Sequence, residues 1–427
     1  MGPSPSAKST TEPTSEATLI EEQLQVAFDG AIRPVRPTIT YRLGLLVATA
    51  VVLLTPVVYL SLIAAIGYGV YYHAVNHQEV LTAVRGRAAI MVFILYAAPL
   101  VIGPIAILFM LKPFFTGPRH ERRSRSLTRK SEPLLFAFVD MVCQAVRAPK
   151  PKRIDVDCQM NASASFRSGL WSMLGNDLVL TIGMPLAAGL SLRQFGGVLA
   201  HEFGHFSQGA GMRLTYVLRS VSAWLHRSVY ERDAWDEWLA SSAADLDLRI
   251  GWVLWLAMLM VWFARRVLWL LMMLSMVVVG YVLRQMEYDA DRYEARFAGS
   301  DSFEATTTKL ARLGVAMQKS YSQLGVSHRE GKLVDDLPRL VLSNERKLEK
   351  TVISDLTDHL RNASTGLFDS HPTDRDRIAS AQREAADGVF RLEGPAGRLF
   401  TDFDAHCRAA TWEFYNETLG GQVKRTQ

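Results

Sequence analysis

The chain of 427 residues is long enough for two or three domains, so it does not lack residues for a packed core. Hydrophobic residues make up 49% of the chain and charged residues only 21%, which excludes a disordered protein and favours a membrane protein. The net charge of +5 is small for this length and argues only weakly for anionic partners. Cys143, Cys158 and Cys407 are widely separated, which excludes a thiolate metal cage and leaves nitrogen and oxygen as metal ligands.

A polar segment and two apolar runs form the N-terminal part of the chain. Residues 1–42 are rich in Ser, Thr, Pro and Glu, and we expect them to be mobile. The runs from Leu43 to Tyr72 and from Ala88 to Phe115 each exceed the roughly 20 residues that a membrane helix needs. We therefore predict a transmembrane hairpin over residues 43–115.

A basic segment directly follows the second apolar run. Residues 119–130 contain six Lys and Arg residues, whereas the loop between the two runs contains only Arg85 and Arg87 near the second run. This bias predicts that both ends of the hairpin face the cytoplasm, in a plasma (inner) membrane. Because the segment lacks interleaved aromatic residues and adjoins a span, it favours contact with anionic lipid over a nucleic-acid partner.

A third apolar stretch, residues 250–283, is interrupted at its centre by Arg265 and Arg266. Each half would reach about 22 Å as a helix, which is short of the ~30 Å hydrocarbon layer. Two short spans, a membrane-dipping hairpin and a buried helical pair all stay open. We favour the hairpin, with the two arginines at its bend, because the stretch is rich in Trp, which suits a membrane interface.

The sequence His201-Glu202-Phe203-Gly204-His205 matches the HExxH pattern. In a helix the two histidines lie on one face and can bind one metal ion, while Glu202 can reach a water molecule on that ion. Ser191 and Gln194 match a capping box, which predicts a helix from about residue 192 to 208. The alternative is two ordinary histidines on an amphipathic helix.

Three glycines lie in the same predicted helix, at positions 196, 197 and 204. Glycine lowers helix propensity, so we expect them to allow close packing or a nearby substrate. The alternative of two ordinary histidines gives no reason for these glycines.

A catalytic zinc ion takes three protein ligands and leaves one position open, so a third ligand is expected downstream. Glu287 and Asp291, at the start of a second helical pattern, share a helix face. One of these carboxylates can bind zinc while the other holds a ligating histidine, and Asp289 is expected to point into solvent. If Glu287 completes the site, the chain between His205 and Glu287 crosses the membrane an even number of times, which excludes a single crossing by residues 250–283.

These motifs resemble those of the integral-membrane zinc metallopeptidases that include the CAAX prenyl proteases and the heat-shock protease HtpX, in the gluzincin group. The resemblance covers residues 155–380 and rests on HEFGH at 201–205, on ExxxD at 287–291, and on Ser370-His371-Pro372 followed by Arg377. Gln194 departs from the family, which commonly has Glu there.

The resemblance implies a role for each matching residue. Glu287 is the third zinc ligand beside His201 and His205, Asp291 supports a ligating histidine, and Glu202 is the general base. His371 donates to the developing oxyanion, and Arg377 orients Glu287 or shares that task. Asn161 holds the peptide backbone beside the strand at 178–182, which we expect to be an exposed edge that pairs with an extended substrate.

We therefore predict a mainly α fold with a small β-sheet: a membrane-anchored, zincin-like metallopeptidase domain with transmembrane helices. Residues 116–249 form its first half, with the HExxH helix, and residues 284–427 its second half, with the third ligand and a helical C-terminal part. The expected activity is that of a Zn²⁺-dependent endopeptidase that uses zinc-activated water on peptide or protein substrates, membrane proteins included. The alternative is a non-catalytic membrane scaffold with the same fold, which has no need of an intact Glu202.

Overall fold

The computed structural model describes residues 15–28, 31–36, 38–83, 85–115, 124–166, 177–207, 210–231, 241, 248–366 and 369–419. Over these residues the chain is mostly helical and contains one four-stranded sheet, which confirms the predicted fold class. The sheet and the shorter helices enclose the largest apolar core, and the long helices form a bundle with two smaller cores.

Much of the N-terminal part is helical, and the mobility expected for residues 1–42 stays a prediction. Ile20 and Leu24 lie one turn apart in the first helix and are both buried in the largest core, so this helix has an apolar face that repays its ordering. The earlier part of the expected mobile segment, residues 1–14, lies outside the described residues. The helices of this part are α1 (Ser15–Ala27), α2 (Ile39–Asn76), α3 (Val80–Ala83) and α4 (Arg87–Phe115).

Three described helices are long and apolar enough to cross a membrane, namely Ile39–Asn76, Ala88–Phe115 and Met258–Ala298. The first two cover the apolar runs from which the sequence predicts a hairpin. The prolines at positions 56, 99, 104 and 113 lie inside these helices, which is common in membrane helices because their neighbours satisfy the freed carbonyl groups. The three helices are consistent with an integral membrane protein.

The sheet has the strand order β1-β2-β4-β3. Strand β4 pairs in parallel with β2 and antiparallel with β3, so the prediction that residues 178–182 form an exposed edge is wrong. Five of the six β4 residues are buried, which is typical of an internal strand covered on both faces. The edge on that side is β3. The strands are β1 (Arg125–Leu127), β2 (Arg153–Asp157), β3 (Ala162–Phe166) and β4 (Leu178–Gly183).

The helix that carries HExxH begins where the sequence predicts. The Ser191 hydroxyl accepts a hydrogen bond from the backbone N–H of Gln194, and the Gln194 side chain accepts one from the backbone N–H of Ser191. This capping box satisfies two backbone donors of the first turn. The helices around it are α5 (Pro133–Val146), α6 (Met184–Gly189) and α7 (Leu192–Gly204).

The predicted hairpin at residues 250–283 is wrong, because these residues belong to one helix of 51 residues that follows α8 (Ala210–Tyr230) and is labelled α9 (Leu248–Ala298). Its two central arginines have partners on the helix surface and need no bend. Arg265 donates to the backbone carbonyl of Glu231 at 2.8 Å, and the Arg266 guanidinium lies 5.4 Å from the centre of the Trp262 ring.

Helices α8 and α9 run antiparallel. Leu218 in the first half of α8 belongs to the same apolar core as Leu283 late in α9, and Val229 near the end of α8 belongs to the same core as Ala264 early in α9. The chain that leaves the HExxH helix along α8 therefore returns along α9. Among the described helices α9 contains one candidate span, Met258–Ala298, and α8 contains none, so the even number of crossings between His205 and Glu287 stays a prediction.

The C-terminal part continues as helices packed around the sheet and the HExxH helix. A short 3-10 helix, Ala396–Leu399, precedes the last of them. The helices are α10 (Ser300–Arg329), α11 (Leu337–Arg346), α12 (Lys350–Asn362), α13 (Asp374–Arg383) and α14 (Phe403–Thr418).

Candidate metal centre

The two histidines of HExxH and Glu287 meet where α7 crosses α9. The His201 Nε2 atom lies 3.5 Å from Glu287 Oε2, and the His205 Nε2 atom lies 3.8 Å from Glu287 Oε1. The side chains of all three residues are at most 10% exposed. Glu287 does not begin a helix, as the sequence suggests, but lies well inside α9.

The spacing of these ligand atoms fits a zinc ion. Zinc bound at about 2.0–2.1 Å in tetrahedral geometry holds its ligand atoms about 3.4 Å apart. The two measured separations are close to that value, and one ligand atom from each of the three residues lies within 4.8 Å of the other two. Two imidazoles and one carboxylate form a donor set of catalytic zinc sites.

Asp291, one turn beyond Glu287, supports His201 from the opposite side of its ring. Its Oδ1 atom lies 3.1 Å from His201 Nδ1, and its side chain is fully buried. Arg377 of α13 donates two hydrogen bonds to the same carboxylate, at 2.7 and 3.0 Å. The sequence-based interpretation had Arg377 orient Glu287 or stabilise an oxyanion, whereas the structure has it bound to Asp291.

The surrounding carboxylates make the position of His201 strongly attractive to a cation. Burial alone lowers the pKa of His201, but the adjacent carboxylates of Asp291 and Glu287 outweigh burial and raise this pKa to about 10. The site therefore favours positive charge, whether a proton or a metal ion supplies it.

His371 lies at the exposed rim of this group. Its Nδ1 atom is 3.6 Å from Glu287 Oε1, and 69% of its side chain is exposed. Glu202 is half-buried and follows His201 directly on α7. The structure thus brings together five of the predicted site residues with His371 at their edge: His201, Glu202, His205, Glu287, Asp291.

Asn161 has a different environment. It directly precedes strand β3, and its backbone carbonyl accepts a hydrogen bond from the N–H of Gly183 at 2.8 Å. Asn161 also lines a cavity of about 460 Å³ between the sheet and α10, together with Ser163 and Thr181. The structure therefore associates Asn161 with the edge strand and this polar cavity, and its role in substrate binding stays a prediction.

Two acidic residues near the centre are not predicted correctly from the sequence. Glu294 is 5% exposed and its Oε2 atom lies 3.7 Å from His201 Nδ1. It follows Glu287 and Asp291 at helical spacing, so this spacing is the signal that identifies it. Asp289, expected in solvent, is 2% exposed and pairs with Arg292 at 3.2 Å.

The glycines of α7 allow helices α7 and α9 to approach each other closely. A Cβ atom at Gly196 would lie 2.6 Å from a ring carbon of Phe297, and one at Gly204 would lie 2.9 Å from a ring carbon of Tyr293. Both aromatic residues belong to α9, downstream of Glu287. The expectation that these glycines serve close packing thus agrees with the structure at both positions.

Comparison with known proteins identifies the family. The family model of Peptidase family M48 matches residues 129–385, more than half of the chain, and this span includes both histidines, Glu287, Asp291 and Arg377. Searches of curated proteins and of solved structures found no match. M48 is the family of the CAAX protease and HtpX-like zinc metallopeptidases, so the resemblance seen in the sequence is confirmed. The chain belongs to Peptidase family M48 and is a protease of the metallopeptidase class.

Proposed function

We propose that the protein is a membrane-bound, zinc-dependent endopeptidase that hydrolyses peptide bonds in peptide or protein substrates. The observation that carries the proposal is the group of His201, His205 and Glu287, whose facing ligand atoms lie 3.5 and 3.8 Å apart. These three residues hold the Zn²⁺ ion. When bound, zinc lowers the pKa of a water molecule and polarises the carbonyl group of the scissile bond.

Glu202 is the general base. Its carboxylate adjoins His201 on α7 and is half-buried, so it has access to a reacting water molecule while remaining fixed to the helix. Glu202 removes a proton from the attacking water and delivers it to the leaving amine. His371 at the exposed rim donates a hydrogen bond to the oxygen of the scissile carbonyl as negative charge develops there.

Asp291 and Arg377 position His201. Asp291 faces the Nδ1 atom, which directs Nε2 towards Glu287, and the two hydrogen bonds from Arg377 fix the Asp291 carboxylate. Arg377 is therefore a positioning residue in this mechanism.

The edge strand β3 binds the peptide backbone. β3 is the outermost strand on its side of the sheet and contacts the HExxH helix. An extended substrate adds to such an edge through main-chain hydrogen bonds, which select little for sequence. Asn161, at the start of β3, helps to hold that backbone.

The proposal is tested by measuring the zinc content and the peptidase activity of the same purified protein. Purified protein in detergent is expected to contain about one zinc ion per chain and to cleave casein, whereas Glu202→Gln retains the zinc and loses cleavage. Glu202 is adjacent to the ligands but binds no zinc in this mechanism, so the variant separates catalysis from metal binding. Equal cleavage by the two proteins would end the catalytic proposal in favour of a contaminating protease.

The sidedness of the site is a separate part of the proposal. The bias of Lys and Arg towards residues 119–130 supports a site on the cytoplasmic side of a plasma (inner) membrane. Reporters fused after residue 130 and at the C-terminus are expected to be active only in the cytoplasm. A signal from the opposite side of the membrane from either reporter contradicts this orientation.

A further inference from the structure

A cavity of about 620 Å³ lies between helices α8 and α9 and reaches the metal centre. Glu287 and His371 form part of its wall, so any molecule that fills it lies beside the third metal ligand. The volume falls within the roughly 300–1,000 Å³ range of ligand pockets in proteins. We call it the α8/α9 cavity.

The two helices give this cavity two unlike walls. Helix α8 contributes the polar residues Ser222, His226 and Tyr230, which lie four residues apart and therefore on one face, together with Ala223 and Leu225. Helix α9 contributes an apolar face that begins at Met272 and ends close to the metal centre. The apolar residues of this wall are Met272, Met273, Met276, Val279 and Leu283, and Ser275, whose hydroxyl donates to the Leu271 carbonyl, lies among them.

We propose that the α8/α9 cavity is the specificity site of the enzyme and binds the apolar side chains of an extended peptide segment beside the scissile bond. This inference rests on the proposed peptidase function. Among the described residues, the lining of the α8/α9 cavity contains neither Lys nor Arg, so it offers no cationic side chain to pair with an acidic peptide. Methionine side chains adapt to apolar groups of different shape, which suits a site that accepts several apolar residues.

The polar wall favours a peptide over a lipid chain as the occupant. An extended peptide in an apolar environment must satisfy its backbone N–H and C=O groups. Ser222, His226 and Tyr230 offer hydroxyl and imidazole groups at intervals of one helical turn, about 6 Å, which matches about two residues of an extended chain. A hydrocarbon chain gains nothing from these groups.

The rise of helix α9 determines which substrate residues can contact the cavity. Leu283 precedes Glu287 by four residues, or about 6 Å, and Met276 precedes it by eleven residues, or about 16 Å. An extended peptide covers these distances in about two and five residues. The enzyme should therefore prefer large apolar residues between two and five positions from the cleaved bond, on one side of that bond only.

The test measures peptide binding to the zinc-loaded, full-length Glu202→Gln protein. A fluorescent peptide with Leu at these positions should bind at least about tenfold more tightly than the same peptide with Ser there. Met276→Trp, which fills the cavity, should abolish this preference. Val277→Trp is the matched control, because Val277 is 44% exposed and does not line the cavity.

A second variant distinguishes loss of the cavity from misfolding of the protein. Met276→Ala enlarges the cavity and should shift the preference from Leu towards Trp, a gain that an unfolded protein cannot show. Equal binding of the Leu and Ser peptides, or equal effects of the two Trp substitutions, overturns the inference. Competition by a long-chain alcohol at least as strong as by the Leu peptide also overturns it, in favour of a lipid occupant. Cleavage by the wild-type protein tests the peptidase function separately, since binding needs no turnover.

Discussion

Replacing Arg377 by methionine tests how the metal centre is held in place. The substitution keeps an unbranched side chain but leaves the Asp291 carboxylate, which is fully buried, without its two hydrogen bonds at 2.7 and 3.0 Å. Removing one partner of a buried ion pair costs about 3–5 kcal/mol, since the other charge stays buried. Arg377 is itself 24% exposed and His201 remains near Asp291, so we take the lower value, about 3 kcal/mol.

The assay is thermal unfolding in detergent, followed by circular dichroism. For a domain of the length that the family model matches, residues 129–385, a loss of about 3 kcal/mol lowers the melting temperature by roughly 6–12 °C. Arg375→Met is the matched control, because Arg375 lies on the same helix and is exposed, and it should melt within about 1 °C of the wild type. The double variant Arg377→Met, Asp291→Asn should recover part of the loss, since it buries no unpaired charge. If Arg377→Met melts like Arg375→Met, the ion pair does not hold the centre.

Three further predictions concern packing, metal binding and the thiols. Gly196→Ala should destabilise the protein by about 1–3 kcal/mol, because the added methyl group would meet aromatic rings. Gly325→Ala, in open space on α10, should stabilise the protein by up to about 1 kcal/mol. Chemical unfolding of both variants measures these changes, and two changes of the same sign would refute the packing argument. Glu287→Ala should remove bound zinc from the purified protein, as metal analysis will report, while Glu304→Ala, on the surface of α10, should not. Burial raises the pKa of Cys143 to about 12, so its thiol should resist a charged maleimide at pH 8 until the protein unfolds. The pKa of this thiol in the unfolded chain is near 9.0, so as the pH rises the unfolded state loses its proton before the folded state does. The free energy of unfolding should therefore fall as pH rises above about 9.

The local part of the metal centre could be predicted from the sequence because its signals are local. HExxH on a capped helix fixes the relation of His201 to His205, and the four-residue spacing of Glu287 and Asp291 fixes their common face. The partner of Arg377 could not be predicted, because residues 86 positions apart in the chain meet only through the packing of α13 on α9.

The errors in the fold have physical causes as well. The sequence suggests a bend at Arg265 and Arg266 because each half of the apolar stretch is too short to cross the membrane alone. Their side chains are long, however, and contact the Glu231 carbonyl and the Trp262 ring at the surface of a continuous helix. The sequence-based prediction places strand β4 at an edge because sequence alone does not give strand order. The apolar run of β4 is itself evidence for an internal position.

The length of α9 has one more consequence. Large apolar side chains are exposed along it from Trp255 to Tyr281, a distance of about 39 Å, and Glu287 lies only about 9 Å beyond Tyr281 on the same rigid rod. A bilayer that covers these side chains would set the height of Glu287, the proposed zinc ligand, above its surface. The proposed peptidase would then cleave its substrates at one fixed distance from the bilayer, in addition to any preference for their side chains.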